Sequence, residues 1–502
     1  MAVKIFSAAI NGLDAYRVEV EADISRGLPK IFIVGLPDVA VQEAKERVKS
    51  GIKNSGFDFP PSVITINLAP ANLKKAGPHY DLPIAIAILL ARGEIKYKNY
   101  EEKIFAGELS LDGSLRPVAG ILSMTIMAKS KKIKEIYIPE ANAQEASLVK
   151  GVKIFPINNL SQLTRHLIGQ ELIKPYIRKI KKENKKVHQN DMMFIRGQEQ
   201  AKRALEIAAA GGHNVLMTGP PGSGKTLLAK TMASILPPMN FEESLEVTKI
   251  YSVAGVLSEV SSVVHSRPFR SPHHTTSSVA LVGGGSIPRP GEISLSHRGV
   301  LFLDELGEYD RAVLESLRQP LEDGVITVAR AAGSAEFPAR FILIAARNPC
   351  PCGYLNDPKQ ECTCSPQQII RYQKKISGPL LDRMDMHITV PRLEFKKISE
   401  KNNVESSEDI IKRVVNARNI QNTRYKNLTS SINAELSGRY IDEYCQIDND
   451  AKEILKKAVD QFYLSARSYH RILKVARTIA DLENSVAMGS SHIAEAIQFR
   501  SS

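Results

Sequence analysis

Two clusters of residues in this chain have the types and spacing that chemistry requires. The first is Gly219-Pro220-Pro221-Gly222-Ser223-Gly224-Lys225-Thr226. Glycines at these positions turn the backbone so that its N–H groups converge on a polyphosphate. The lysine then sits where an ammonium reaches the β- and γ-phosphates, and the threonine hydroxyl can join a Mg2+ shell. Val215, Leu216 and Met217 ahead of the loop read as a short buried strand. Leu227 to Leu236 behind it reads as a helix whose N-terminus adds partial positive charge. ATP with Mg2+ is the expected ligand.

Partners for that loop lie further along the chain. Val300 to Leu303 is an apolar run ending in Asp304 and Glu305. A carboxylate at a strand's end can help hold Mg2+, and the next one can orient and deprotonate a water attacking the γ-phosphate. Phe341 to Ala346 predicts another buried strand, ending at Arg347-Asn348. The Asn348 amide there could hold the water or a phosphate oxygen, the alternative being a loop cap.

The second cluster is Cys350, Cys352, Cys362 and Cys364. Two cysteine pairs closing a short loop can surround one tetrahedral Zn2+ as thiolates. CxC is tighter than the usual CxxC knuckle, and a reduced cluster without metal is the other reading. With all four positions taken by protein, such a site is structural. Cys445 stands apart and reads as a core thiol. His273 and His274, adjacent on an irregular run, lack metal-ligand geometry, and their role is left open.

The elements that position these groups need more than one core. At 502 residues the expectation is about three domains. Hydrophobic content of 43% with 24% charge is ordinary for a globular protein. The net charge of +13 leans toward a polyanionic partner without requiring one. Neither a secretory segment nor a membrane span is read. Leu82 to Ala91 is too short to cross a bilayer and predicts a buried helix. Bunched cysteines point to a reducing compartment, so the expected location is cytoplasmic.

The predicted fold class is α/β, with a front unit at residues 1–168, a basic linker at 169–190, a nucleotide-binding core at 191–392 and a helical lid at 393–502. In the front unit Val18, Val20 and Ala22 alternate as in a strand after the Asn11-Gly12 turn. Ile31–Val34, Val63–Leu68, Ile104–Gly107 and Ile136–Ile138 predict further strands. Asp38 caps a helix carrying Val41, Ala44, Val48 and Ile52 on one face. Asp112-Gly113 is a tight turn. Residues 172–186 hold seven lysines or arginines against one glutamate and read as a solvated connector, with nucleic-acid contact the alternative.

Along most of its length the front unit resembles the proteolytic domain of Lon, through KKAGPHYDLPIA, FAGELSLDGSLRPVAGI and YIPEAN. The match departs where chemistry would be. Lon-type proteases carry a serine after the Gly-Pro pair, and here Gly77-Pro78 precedes His79. The partner lysine would fall near Leu122. Without nucleophile or base, the expectation is a scaffold or recognition module.

GPPGSGKT, VLFLDEL, AARNPCPCG and SGPLLDRMD together resemble the magnesium-chelatase-like AAA+ ATPases, and RPFRSPHHTTSSVALVGGGSIPRPGEISLSHRG narrows this to the YifB/ComM family. The resemblance implies a ribosomal-protein/Lon-like α/β domain, an AAA+ core with a helix-2 insert and a hairpin before sensor 1, and a small helical lid. It implies ATP hydrolysis in a ring, a hexamer by expectation, and ATP-driven migration of branched DNA during natural transformation. On the family's pattern the loop at Ile195 lies against adenine, Asn348 is sensor 1, Arg383 is an arginine finger reaching a neighbour's γ-phosphate, and Arg467 is the second sensor arginine. For Arg383 an internal ion pair with Asp382 or Asp385 is the alternative. The family's four cysteines strengthen the Zn2+ reading. Residues 252–299 are expected as loops facing a ring channel, and Ile326–Phe341 as the hairpin, with Arg330 near its tip and Arg340 at its far end. DNA is the expected partner. A chelatase- or chaperone-like ATPase remodelling a protein recruited by the front domain is the competing function.

Overall fold

The computed structural model describes residues 3–95, 100–178, 190–257, 263–285, 288–330, 333–393, 404–428 and 431–500. β1 (Val3–Asn11) and β2 (Asp14–Ser25) make an antiparallel hairpin through Gly12, whose φ of 60° suits glycine at a tight turn. β3 (Lys30–Val34), α1 (Val39–Asn54) and β4 (Val63–Ala69) follow as a crossover unit, giving the order β1-β2-β4-β3. Asp38 accepts the Val41 N–H at 2.9 Å and so starts α1. Val41, Ala44, Val48 and Ile52 form its buried stripe, as their spacing predicts. In α2 (Asp81–Arg92) every residue from Asp81 to Leu90 is buried, which is why its sequence shows no polar face.

A second sheet of three parallel strands completes the front unit: β5 (Lys103–Phe105), β6 (Glu135–Pro139) and β7 (Lys153–Ile157), with α3 (Ile121–Ser130) and α4 (Leu160–Leu167) beside it. Of the basic linker, residues 179–189 lie outside the described residues.

The nucleotide-binding core contains α5 (Glu199–Gly211), β8 (Val215–Thr218), α6 (Lys225–Ile235), α7 (Phe241–Ala254), β9 (Phe269–Arg270), β10 (Val300–Leu303), α8 (Arg318–Asp323), a hairpin of β11 (Val325–Arg330) and β12 (Gly333–Pro338), β13 (Ile342–Arg347), α9 (Pro366–Gln373) and β14 (Met386–Thr389). The sheet is wholly parallel in the order β9-β10-β13-β8-β14. Its central strands are covered on both faces, so β8 and β10 read as unbroken apolar runs with their apolar residues fully buried. The lid is a bundle of α10 (Ser407–Arg424), α11 (Asn449–Phe462), α12 (Ala466–Leu482) and α13 (Ser490–Gln498).

Residues 252–299 depart from expectation. Loops facing a ring channel are expected there, yet Phe269 and Arg270 pair with Val300 and Leu301 as the edge strand. Leu281, Ile293 and Leu295 are buried in the core. Widely spaced apolar residues can fill a core without producing a periodic signal. Residues 258–262 and 286–287 of this segment, and the hairpin tip at 331–332, lie outside the described residues.

Front unit and core share a packed seam. Leu13, from the first turn, joins Ile326, Val328, Ala335 and Phe337 of the hairpin in one apolar cluster. Leu122 is fully buried against Leu148, Val149 and Val263. The Gly120 N–H donates to the Ser252 carbonyl at 3.0 Å, and Lys249 meets Asp14 at 2.9 Å. Leu122→Ala should therefore lower stability by about 2–4 kcal/mol, read as a shift in the urea midpoint. A change below about 0.5 kcal/mol would contradict tight packing at the seam.

Candidate functional site

The loop after β8 is built for an anion. Gly222 and Gly224 have φ of 75° and 91°, and a Cβ on either would meet nothing within 4 Å. Glycine is needed there for backbone direction, and the space beside it is open. At Gly219 the constraint is contact: a Cβ would stand 2.2 Å from the Val390 carbonyl oxygen. Lys225, at the start of α6, donates to the carbonyls of Gly219 and Pro220 at 2.8 and 2.9 Å and to Asn348 Oδ1 at 3.3 Å. Burial lowers the Lys225 pKa, and the nearby Asp304 and Glu305 carboxylates oppose that shift.

Thr226 Oγ1 donates to Asp304 Oδ2 at 2.6 Å, and the Glu305 N–H donates to Asp304 Oδ1 at 3.0 Å. Hydroxyl and carboxylate oxygens are the donors Mg2+ takes alongside phosphate. The sheet thus brings Lys225, Thr226, Asp304, Glu305 and Asn348 to the carboxyl ends of β8, β10 and β13, where open α/β sheets bind ligands. This donor set fits a magnesium-bound triphosphate. Glu305 has a partner that sequence reasoning missed: His274 Nδ1 lies 3.4 Å from its Oε2. The loop carrying His274 is tied down by the Tyr309 hydroxyl, which donates to the Pro272 carbonyl at 2.6 Å.

A cavity of about 830 Å3 adjoins this end of the sheet, with Arg196, Gly197, Gln198, Pro391, Leu393 and Ile410 in its wall. The Gln198 amide donates to Pro391 O at 2.7 Å and Ser223 O at 3.4 Å, linking cavity and phosphate loop. Ile195 itself is buried in the core, and its neighbours 196–198 face the space.

Arg383 and Arg467 lie at the other end. The carbonyl of Arg383 accepts from the side-chain amide of Asn214, the residue before β8, at 3.2 Å. Arg383 is buried, donates from Nη1 to the Pro379 carbonyl at 2.7 Å and pairs through Nη2 with Glu322 at 2.5 Å. Arg467, exposed in the first turn of α12, has Nη2 3.7 Å from the same Glu322 oxygen. Asp385, weighed above as a partner of Arg383, is taken instead by Arg471 and by the Asn214 N–H at 2.8 Å. Desolvation pushes the Asp385 carboxyl up, but Arg471 and His213 hold it well below the usual carboxylate range.

The four clustered sulfurs lie within 4.8 Å of one another, with Cys350–Cys352 at 3.4 Å and Cys362 at 3.6 Å from both. A tetrahedral zinc with ~2.3 Å bonds has sulfur–sulfur edges of about 3.8 Å, so the thiols fit that ion. Gly353 in this loop packs on the phosphate loop, since a Cβ there would come 2.5 Å from Pro221 Cδ. Cys445 is a buried thiol whose pKa desolvation raises to about 11.

In the front unit no nucleophile stands at the Lon-like positions. His79 is buried with Nε2 2.8 Å from the Ala8 carbonyl, and burial lowers its pKa to about 4. Leu122 is part of the seam described above.

A parallel sheet in this strand order, a phosphate-binding loop after β8, an Asp-Glu pair after β10, an asparagine after β13 and a helical lid define an AAA+ P-loop core. Family models agree: magnesium chelatase, subunit ChlI matches residues 191–398, subunit ChlI of Mg-chelatase matches 20–142, and the ChlI C-terminal model matches 404–500. The chain is 43% identical to the competence protein ComM of Haemophilus influenzae over 504 residues, covering 99% of this chain and 97% of ComM. It is 42% identical to YifB of Escherichia coli over 498 residues, 99% and 96% of the two chains. The 67 kDa magnesium-chelatase subunit of Heliobacterium mobile matches at 29% over 192 residues, 33% of this chain and 29% of that one. The chain belongs to the YifB/ComM family of magnesium-chelatase-like AAA+ ATPases.

Two outcomes are expected. Protein purified under reducing conditions should carry about one zinc per chain by elemental analysis, and a ratio near zero would dismiss the metal. Because the folded pKa of His79 is depressed, its contribution to stability is full above the unfolded value near 6.5 and is lost as pH falls toward 4. Between pH 7 and pH 5 the loss should be on the order of 2 kcal/mol in urea titrations, and His79→Gln should flatten it. An unchanged pH slope in that variant would remove His79 as the cause.

Proposed function

We propose that this ATPase works as a ring, with each nucleotide completed by two protomers, and that the ring remodels branched DNA. The observation that carries the reading is the separation of the two halves of the site. Lys225, Thr226, Asp304 and Asn348 stand at the carboxyl ends of the strands, whereas Arg383 and Arg467 stand beside their amino ends. Four residues of β8 span about 13 Å. A guanidinium at one end therefore serves a phosphate on another protomer, not its own.

On this reading the loop N–H groups and Lys225 hold the β- and γ-phosphates, and Thr226 and Asp304 hold the metal. Mg2+ supplies positive charge beside the phosphate oxygens. Glu305 takes the proton from the attacking water, Asn348 orients that water or a γ-phosphate oxygen, and a neighbour's Arg383 offsets charge developing in the transition state. Arg467 acts beside it. The cavity next to Gln198 receives the base. The four-cysteine element, with structural Zn2+, stiffens the loop packed on Pro221. The assembly is a homo-oligomer, and we take a hexamer as its size.

DNA as substrate is supported by the net charge of +13, by the hairpin of β11 and β12 and by the likeness to a competence protein. The hairpin buries Ile326, Val328 and Phe337 and exposes Thr327, Ala329 and Glu336, so one face is anchored and the other is free to meet a strand. Arg330 closes β11 next to the tip. One observation favours a protein substrate instead: Leu28, Phe32, Val34, Leu36 and Val39 are exposed around edge strand β3 of the front unit. Among the described residues no helix is long and apolar enough to cross a membrane.

The deciding measurement is the ATPase rate with no DNA, linear duplex and a four-way junction, with Glu305→Gln as control. The junction should raise the rate several-fold, and the Gln variant should bind ATP while turning over about 100-fold more slowly or worse. Equal rates with and without DNA would shift the reading to protein remodelling.

A further inference from the structure

The contact between Glu322 and two arginines is not explained by the ATP site as described. Glu322 lies near the end of α8, two residues before the glycine that leads into the hairpin. It is about half exposed, while the Arg383 side chain is 6% exposed. One carboxylate oxygen serves both Arg383 and Arg467. The Arg383 bond, first among the causes, holds the Glu322 carboxyl below its ordinary pKa. Arg383 is anchored from behind by the Pro379 carbonyl, and its buried Nε has no hydrogen-bond partner. The pair is therefore asymmetric: the arginine is held from behind and retains an unused donor, and the carboxylate is half exposed to solvent.

We propose that Glu322 is a latch on the two arginines, competing with the γ-phosphate of the neighbouring protomer's ATP for the same guanidinium groups. In a lone protomer Glu322 neutralises cations that would otherwise stand unpaired, one of them desolvated. On assembly the phosphate oxygens replace the carboxylate, so the favourable energy of the arginine–phosphate contact is reduced by the cost of releasing Glu322. Nucleotide-dependent assembly is weaker with the latch than without it. Two features argue for exchange rather than permanent support. A carboxylate left beside both guanidinium groups would place a negative charge next to the phosphate they are meant to bind. The carboxylate is the exposed member of the pair, so its departure costs little packing.

This inference rests on the proposed action of Arg383 between protomers, and the test separates the two. The full-length protein, wild type, Glu322→Gln, Arg383→Ala and the double variant, is titrated for assembly by mass photometry with ATP and without nucleotide, together with the ATPase rate. Removing the carboxylate charge should lower the protein concentration for half-assembly in ATP by about three- to ten-fold. Assembly without nucleotide should be unchanged, and the shift should shrink in the double variant, where only the longer Arg467 contact is left to release. The KM for ATP should fall in Glu322→Gln with kcat within about two-fold of wild type. If Glu322 merely positions the arginines, the same variant will assemble less readily and lose kcat, which overturns the latch. If Glu322→Gln has no effect while Arg383→Ala abolishes turnover, the latch fails and the shared site stands. If Arg383→Ala leaves turnover intact, the shared site itself falls. Should the glutamine variant not fold, Glu322→Asp, one methylene short of the guanidinium, carries the same comparison with a smaller shift in the same direction.

Discussion

A parallel sheet has two chemically different ends, and the arrangement of this protein follows from that. At the carboxyl ends the strands release loops and helix N-termini, which gather N–H donors and partial positive charge for a polyphosphate. Lys225, Thr226, Asp304, Glu305 and Asn348 are collected there because β8, β10 and β13 are adjacent, although the chain separates them by up to about 120 residues. The amino ends carry Asn214, Arg383 and Asp385, tied to the lid through Arg471. No bending of a short buried strand brings one end to the other. On the proposed reading, chemistry that needs a lysine and an arginine on one phosphate recruits a second copy of the sheet.

The rest of the molecule stabilises the two ends separately. The cysteine loop and Gly219 press the phosphate loop against its surroundings, through Pro221 and Val390 respectively. At the opposite end the lid is joined to the core by a buried polar network. His213 Nε2 meets Thr478 Oγ1 at 2.7 Å, and Asn433 donates to both Thr478 and Asp481, the latter also held by Arg424. Such groups are costly to bury singly, and the directional bonds between them favour one lid position over others more strictly than apolar packing would. The front unit grips the hairpin from a third side through Leu13. Leu122, the position at which the Lon resemblance would place a lysine, instead fills the seam with Leu148, Val149 and Val263.

How far the sequence disclosed this depends on the kind of signal. Strands buried on both faces, such as Val300–Leu303, appear as unbroken apolar runs. Glycines that need positive φ, such as Gly222 and Gly224, appear as spaced motifs, and Asp38 appears as a cap before a periodic stripe. These signals are local and were legible. Edge strand β9 was not, since two residues leave no periodicity, and the core roles of Leu281 and Ile293 were masked by the polar residues around them. Partners set by tertiary contact were also invisible. Nothing near Glu305 singles out His274, thirty-one residues earlier (305 − 274), and the partner of Arg383 proved to be Glu322 rather than the adjacent aspartates.

That last difference bears on mechanism. An arginine paired with a neighbour in sequence would be a local feature of the β14 entry, indifferent to what happens elsewhere. Paired with Glu322, it is connected to α8 and, two residues on, to the strand that opens the hairpin. On the proposed exchange, a change of counterion at Arg383 acts on a residue two positions before Gly324, where the chain enters the hairpin. On the latch proposed above, the residue that competes with a phosphate for Arg383 is also the one that stands at the base of the hairpin. Coupling of this kind requires only that the carboxylate have two positions and that one ligand favour the second.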